Sequence, residues 1–306
     1  MPDKNSVAHF DVDVFLENLL IGRIFPFSLS QKNLAKIPGK DKIEVLTINA
    51  YSKIDKNLLN FFPNLKLVLT RSVGTDHIDL LTCQEKKIKV INIPDYGSEI
   101  IAEHAMALLL SGCRQIVKAD KLVRKGEFHY QNFLGLALSG KTLGVIGAGK
   151  IGLAFIKIAK GFNLNILAYD IYKNQEAEKD LKFSYVSFEE LIKKSDIISL
   201  HIPLSLETKH LINEKTISRM KNNVILINTS RGGIIDTQAL VKAIKKFRFV
   251  GLDVLEDEKN FNKNHPLLKF KNVLITPHIA FLTDKSIKNI ANLTMKIINK
   301  FQREEI

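Results

Sequence analysis

Two cysteines in 306 residues, Cys83 and Cys113, are too few for a disulfide framework or a thiolate metal cluster, so no metal is expected. No apolar run approaches the roughly 20 residues that a membrane-spanning helix needs, so no membrane partner is expected either. The opening Met1–Asn5 leads into a short apolar stretch broken by Asp11, Asp13 and Glu17, which does not read as a secretory signal. A reducing, cytoplasmic setting is the simplest expectation. Repeats of solenoid period, low-complexity tracts and long uninterrupted basic runs are also missing. The last absence matters because the formal net charge is +13. Lysines scattered among asparagines read as a solvated basic surface, and nucleic acid is not an expected partner. The same excess of positive charge could help attract an anionic substrate and cofactor.

What is present is ordinary for a soluble globular chain: 45% hydrophobic and 25% charged residues, with length for two domains. Val7–Phe10, Ile43–Ile48, Leu65–Leu69 and Lys89–Ile93 read as strands rich in Val, Ile and Leu. Asp55–Phe61 and Asp79–Lys87 read as helices between them. Such alternation predicts a parallel sheet covered on both faces. Next comes one long helix, from about Ser98 to Leu122, apolar on most of its circumference and therefore expected to be buried between domains or subunits. A second βα series runs from Lys141 to about Pro277. The charged run Lys173–Asp180 reads as a solvated loop or helix face. A last amphipathic helix spans about Asp284–Phe301.

The sharpest local signal is Gly147-Ala-Gly149-Lys150-Ile151-Gly152, a G-x-G-x-x-G turn between the strand Gly144–Ile146 and an apolar helix. Gly147 would permit the tight turn, Gly149 the close approach of a pyrophosphate, and Gly152 the packing of helix on strand. The helix N-terminus adds free N–H groups for phosphate. A second strand ends at Asp170, 18 positions after Gly152, about where a ribose-binding acid belongs. A carboxylate there favours NAD over NADP.

Three later strands end in polar residues: Asn228-Thr229-Ser-Arg231, Asp253-Val-Leu-Glu256 and Thr276-Pro-His278. Ligands bind at the carboxyl ends of strands in open parallel sheets. Taken singly, each of these polar residues would usually be a surface or loop residue; together, after an NAD fingerprint, they suit the reduction of a 2-oxo acid. Arg231 would bind the carboxylate and polarise the carbonyl. His278 would donate the proton, with Glu256 fixing its ring. Asp253 is a candidate for the nicotinamide carboxamide.

These motifs are similar to those of the D-isomer-specific 2-hydroxyacid dehydrogenases, most of all the D-lactate dehydrogenase branch. Ser72-Val73-Gly74-Thr-Asp-His-Ile-Asp79 resembles that family's substrate loop. Asn92–Ser98 with Ala102–Leu109 resembles its hinge and long helix. The resemblance implies two Rossmann-like or flavodoxin-like α/β lobes with parallel sheets and a cleft between them. It places a discontinuous substrate domain at 1–99 plus 283–306 and an NAD-binding Rossmann domain at 100–282. It also implies catalysis by Arg231, Glu256 and His278, substrate binding by Val73, Gly74, Tyr96 and Arg231, and a homodimer. Thr229 and Pro203 would line the nicotinamide pocket. His201 is either a cofactor contact or a structural hydrogen-bonding group, Tyr96 either a substrate contact or a packed hinge aromatic. His77, His104 and Arg71 read as structural. Pyruvate reduction to D-lactate is the leading expectation. Glyoxylate or hydroxypyruvate reduction, a short phosphoglycerate dehydrogenase, and an NAD-sensing corepressor-like binding protein stay open. With the sequence ending at Ile306, the regulatory domain of many phosphoglycerate dehydrogenases is not expected, although short versions of that enzyme exist.

Overall fold

The computed structural model describes residues 5–12 and 14–306. Met1–Lys4 and Asp13, part of the opening read above as lacking a signal, lie outside the described residues. The chain folds as two compact units, Met1–Gly97 with Leu282–Ile306, and Ser98–Phe281. The junctions expected from sequence were 99/100 and 282/283.

The first unit contains β1 (Val7–His9), β2 (Arg23–Ile24), β3 (Val45–Ile48), α1 (Lys56–Leu59), β4 (Leu67–Thr70), α2 (Leu80–Glu85) and β5 (Lys89–Asn92). Its five strands are parallel in the order β2-β1-β3-β4-β5. Every residue of β1, β3 and β4 is buried, as a parallel sheet covered on both faces requires. Arg71 is almost wholly buried and donates to the Thr47 hydroxyl and to the carbonyls of Phe10 and Asp11, so it ties three strand ends together.

The second unit begins with α3 (Ser98–Arg114) and α4 (Ile116–Val123). Here the sequence reading of one long buried helix is corrected. The two helices bend by 60° at Gln115, whose φ is +53°. The cause is local. The Leu136 N–H takes the Cys113 carbonyl at 2.8 Å, and the Gln115 amide reaches the Leu134 carbonyl at 3.1 Å. A continuing helix would need the Cys113 carbonyl for itself. α3 buries Ala102, Ala105, Met106, Leu108 and Leu109, whereas α4 buries nothing. Among the described residues no single helix is long and apolar enough to cross a membrane.

Then follow β6 (Thr142–Ile146), α5 (Lys150–Lys160), β7 (Asn165–Tyr169), α6 (Gln175–Leu181), β8 (Ser184–Tyr185), α7 (Phe188–Lys194) and β9 (Ile197–Leu200). The unit continues through α8 (Glu214–Arg219), β10 (Val224–Asn228), α9 (Thr237–Lys242), β11 (Phe247–Leu252) and β12 (Val273–Ile275). The charged run around 173–180 is largely the helix α6, capped by Asn174, which accepts from the Ala177 N–H. Seven parallel strands run in the order β12-β11-β10-β9-β6-β7-β8. Two cores cover the faces, and the pleat divides the side chains between them. Ile225 and Ile227 of β10 join Leu109 and Phe155 on one side; Val224 and Leu226 join Leu191 and Leu240 on the other.

The closing helix α10 (Asp284–Gln302) returns to the first unit. A capping box between Thr283 and Ser286 starts it, and Ile287, Ile290, Ala291, Thr294 and Ile298 form its buried stripe.

The junction of β6 and α5 sets a stability prediction. A Cβ on Gly152 would overlap the Gly147 carbonyl oxygen, a backbone atom that cannot swing away. Gly152→Ala should therefore destabilise the unit by about 1–3 kcal/mol through overpacking, despite a helix-propensity gain of about 1 kcal/mol. Urea denaturation reads the change; an unchanged or raised midpoint would contradict the close approach.

Candidate active site

The glycine turn leaves the end of β6 with Gly147 at φ +94°, and a Cβ there would strike the His201 carbonyl. Gly149 differs: nothing lies within 4 Å of where its Cβ would be. Space is thus kept open over the N-terminus of α5, where no side chain caps the helix, beside Lys150 and Ile151. Asp170 follows β7. One carboxylate oxygen accepts from the Ala148 N–H at 2.7 Å and the other from Tyr172 N–H at 2.9 Å, which fixes the acid against the turn.

Two further observations fit a nucleotide at this edge. The Thr229 hydroxyl and the His201 Nδ1 are buried and have no hydrogen-bond partner among the described residues. Both follow directly on the ends of neighbouring strands, β10 and β9. Such atoms are costly to leave unsatisfied, so an outside group is the natural partner. Burial drives the His201 imidazole pKa down to about 3, so the ring is neutral at physiological pH. Its Nε2 shares a hydrogen bond with the Ser199 hydroxyl at 2.9 Å. Both alternatives raised for His201 therefore have support: a structural bond on one nitrogen and an open nitrogen on the other. Pro203 lies in the following turn, its carbonyl taken by the Thr208 hydroxyl.

Because the strands are parallel, Arg231, Asp253 and His278 all emerge at one edge of the sheet, after β10, β11 and β12. Hydrogen bonds tie these tails together. The Asp253 N–H reaches the Asn228 carbonyl at 2.9 Å, and the His278 N–H reaches the Asp253 carbonyl at 2.8 Å. Arg231 is partly buried and donates to the Ser230 carbonyl, while its own carbonyl accepts from the Asn228 amide.

The Asp253 side chain is wholly buried. One oxygen accepts from the Thr276 hydroxyl at 2.5 Å and the Ile279 N–H at 3.0 Å; the other accepts from the Ala280 N–H at 2.8 Å. His104 of α3 donates from Nε2 to Thr276 Oγ1 at 3.0 Å, and that nitrogen lies 3.4 Å from Asp253. Burial pushes the Asp253 carboxyl up, but hydrogen bonds from His104, Thr276, Ala280 and Ile279 outweigh it and hold the group below the usual carboxylate range. The Asp253 side chain thus clamps the 276–280 loop.

A second correction concerns the glutamate. His278 Nδ1 donates to Glu258 at 2.9 Å, and not to Glu256. Glu256 turns instead to His210 Nε2 and the Thr237 N–H. The reason is the backbone. After β11 the chain stops being extended, and Glu258 opens a 3-10 turn that swings its carboxylate toward the β12 tail. His278 itself sits at φ +55°, and its ring meets Phe281 edge-on at 6.4 Å. Neither Glu258 nor His210 was singled out by sequence. The available signal was faint: two glutamates in Glu256-Asp-Glu258, of which only the turn decides which faces the histidine.

Val73, Gly74 and Tyr96 belong to the first unit. Val73 and Gly74 lie in the turn after β4. The Asn92 amide holds the Val73 carbonyl at 2.6 Å, and the Ser72 hydroxyl holds the Gly74 carbonyl at 2.7 Å. Tyr96 is buried, and its carbonyl accepts from Asn289 of α10.

The comparisons with known proteins agree with this architecture. The family model for the D-isomer specific 2-hydroxyacid dehydrogenase, NAD binding domain, matches residues 106–280. A glyoxylate reductase of Thermococcus litoralis is 43% identical over 274 residues, covering 87% of this chain and 82% of that protein. A glyoxylate reductase of Pyrococcus furiosus is 39% identical, covering 97% and 88%. The crystal structure of D-lactate dehydrogenase from Aquifex aeolicus complexed with NAD and lactic acid superposes with a TM-score of 0.89 at 37% identity, covering 97% and 96%. With a glycine turn, an acid at the end of β7 and a strand-end histidine already in place, the chain belongs to the D-isomer-specific 2-hydroxyacid dehydrogenases, NAD-dependent enzymes acting on the CH–OH group of 2-hydroxy acids.

Proposed function

We propose that this enzyme reduces 2-oxo acids with a small side chain, pyruvate to D-lactate and glyoxylate to glycolate, with His278 as the proton donor. The observation that carries the reading is the His278–Glu258 pair at 2.9 Å, on the sheet edge that also holds the NAD turn. Bound NADH supplies the hydride to the carbonyl carbon. His278 delivers a proton to the carbonyl oxygen, so that hydride and proton together make the hydroxy acid. Glu258 on Nδ1 orients the ring so that Nε2 faces the substrate. Arg231 binds the carboxylate with its planar fork and polarises the carbonyl. His201, Pro203 and Thr229 complete the NAD site begun by the glycine turn and Asp170. Phe281 beside His278 supplies an apolar wall that suits a methyl group or hydrogen.

Two substrates stand in this reading because the likenesses divide. The Aquifex aeolicus D-lactate dehydrogenase supports pyruvate, and the Thermococcus litoralis and Pyrococcus furiosus proteins support glyoxylate. A steady-state panel of 2-oxo acids with NADH should show the highest kcat/KM for pyruvate or glyoxylate, and pyruvate should yield the D isomer. No oxidation of NADH with any small 2-oxo acid, or L-lactate as product, would overturn the proposal.

Removal of the proton donor should be severe. His278→Ala should lower kcat by about 10²–10⁴-fold while the Kd for NADH stays close to wild type. Glu258→Gln should also act mainly on kcat. Equal losses in NADH affinity and turnover would contradict these roles.

We also propose a homodimer through the second unit. Ile116, Val123, Phe128, Tyr130 and Leu134 are exposed apolar side chains within one stretch of 19 residues, an unusual concentration for a free surface. Sedimentation velocity should show twice the chain mass, and Phe128→Asp/Leu134→Asp should give the single-chain mass with the far-UV spectrum retained. A wild-type enzyme that sediments as one chain at micromolar concentration would refute it.

A further inference from the structure

Two titratable side chains just outside the reacting pair have no part in the mechanism above. Glu256 and His210 meet through Oε1 and Nε2, and the other Glu256 oxygen accepts from the Thr237 N–H at 3.1 Å. Both side chains are about one-third exposed, so the pair adds little to stability. Its placement gives it another use. The His210 N–H donates to the Gly233 carbonyl at 2.9 Å, and Ile212 exchanges hydrogen bonds with Ile234 and Asp236. Gly232 lies so close to Leu255 and Glu256 that a Cβ would overlap their backbone. The segment 232–237, immediately after Arg231, is thus pinned from two sides, by the Glu256 carboxylate and by the main chain of residues 210–212, and the His210 imidazole ties those two sides together. Glu256 is also two residues before Glu258, the partner of His278.

We propose that Glu256 and His210 form a positioning pair that locks the Arg231 loop against the turn carrying Glu258. The inference rests on the 2-oxo acid reading, in which Arg231 holds the substrate carboxylate. Burial pushes the Glu256 carboxyl up, but hydrogen bonds from His210 and Thr237 more than offset it and leave the group below its ordinary value. An ionised carboxylate with two oxygens is what a three-way junction needs: one for the imidazole, one for the helix N-terminus at Thr237. The Asp236 side chain already caps that helix through the Gln238 and Ala239 N–H groups, which leaves Thr237 N–H for Glu256. Arg231 would grip the carboxylate in ground and transition states alike, and its polarisation of the carbonyl, which strengthens in the transition state, would account for only the smaller share of the loss, in kcat. A looser loop would therefore show in KM more than in kcat.

The test uses the full chain and the variants Glu256→Ala, Glu256→Gln, His210→Ala and the Glu256→Ala/His210→Ala double. Glu256→Ala should raise KM for the 2-oxo acid by about tenfold and change kcat by less than about threefold. The NADH Kd and the Tm should stay at wild-type values. Glu256→Gln keeps an acceptor for Thr237 and should recover KM to within about threefold. The double variant should be no worse than Glu256→Ala, because the two groups act as a unit. Hydrogen exchange read by mass spectrometry should quicken over residues 229–237 in Glu256→Ala. An unchanged KM with unchanged exchange would overturn the inference, as would a loss confined to kcat, which would return Glu256 to the proton-transfer step. A wild-type enzyme inert toward every 2-oxo acid would defeat the functional reading, while the exchange data would still decide whether the pair locks the loop.

Discussion

The site is built around one buried carboxylate. Asp253 lies where β11 ends, out of solvent, and takes hydrogen bonds from a threonine hydroxyl and two backbone amides of the loop that carries His278. An ionised group in that position persists only because each oxygen is satisfied. Removing such a charge from its donors, or the donors from the charge, typically costs about 3–5 kcal/mol. The arrangement has a second consequence. His278 adopts a left-handed backbone, φ +55°, a conformation that costs a non-glycine residue about 1–3 kcal/mol. Asp253 supplies the constraint that keeps it there: the side chain grips residues 276, 279 and 280, and the main-chain carbonyl grips the His278 N–H. The ring is aimed by backbone geometry before any substrate arrives.

The same logic of fixed loops on a rigid sheet runs along the whole edge. Asn228 holds Arg231, Asp170 holds the glycine turn, and Glu258 holds the ring of His278. Behind them, strands buried on both faces leave little room for movement. The open places are few and specific: the space over Gly149, and the unsatisfied Thr229 hydroxyl and His201 Nδ1. These open places fit a bound nucleotide.

Much of this was legible in the residues. The apolar run Val224–Ile227 reads as a buried strand, and Gly147 and Gly152 of the G-x-G-x-x-G turn are needed for steric reasons that the structure reproduces, whereas Gly149 has open space about it. The two-residue strands β2 and β8 were not legible, because they lie at sheet edges and are too short to show a period. The break at Gln115 was hidden as well. Apolar spacing continues through Ile116, while the helix is ended by Leu136 and Leu134, some 20 residues downstream. Glu256 and Glu258 show the limit most clearly. In an extended chain residues two apart point the same way, so composition and spacing rank them equally. A single 3-10 turn separates one as the histidine's partner and leaves the other to His210.

A crystal structure of the enzyme with NADH and oxamate, an unreactive likeness of a 2-oxo acid, tests the account most directly. The expected result is an oxamate oxygen on His278 Nε2, the oxamate carboxylate on Arg231, and Glu258 still on Nδ1. Oxamate bound away from His278, or the imidazole turned to Glu256 in that complex, would contradict it.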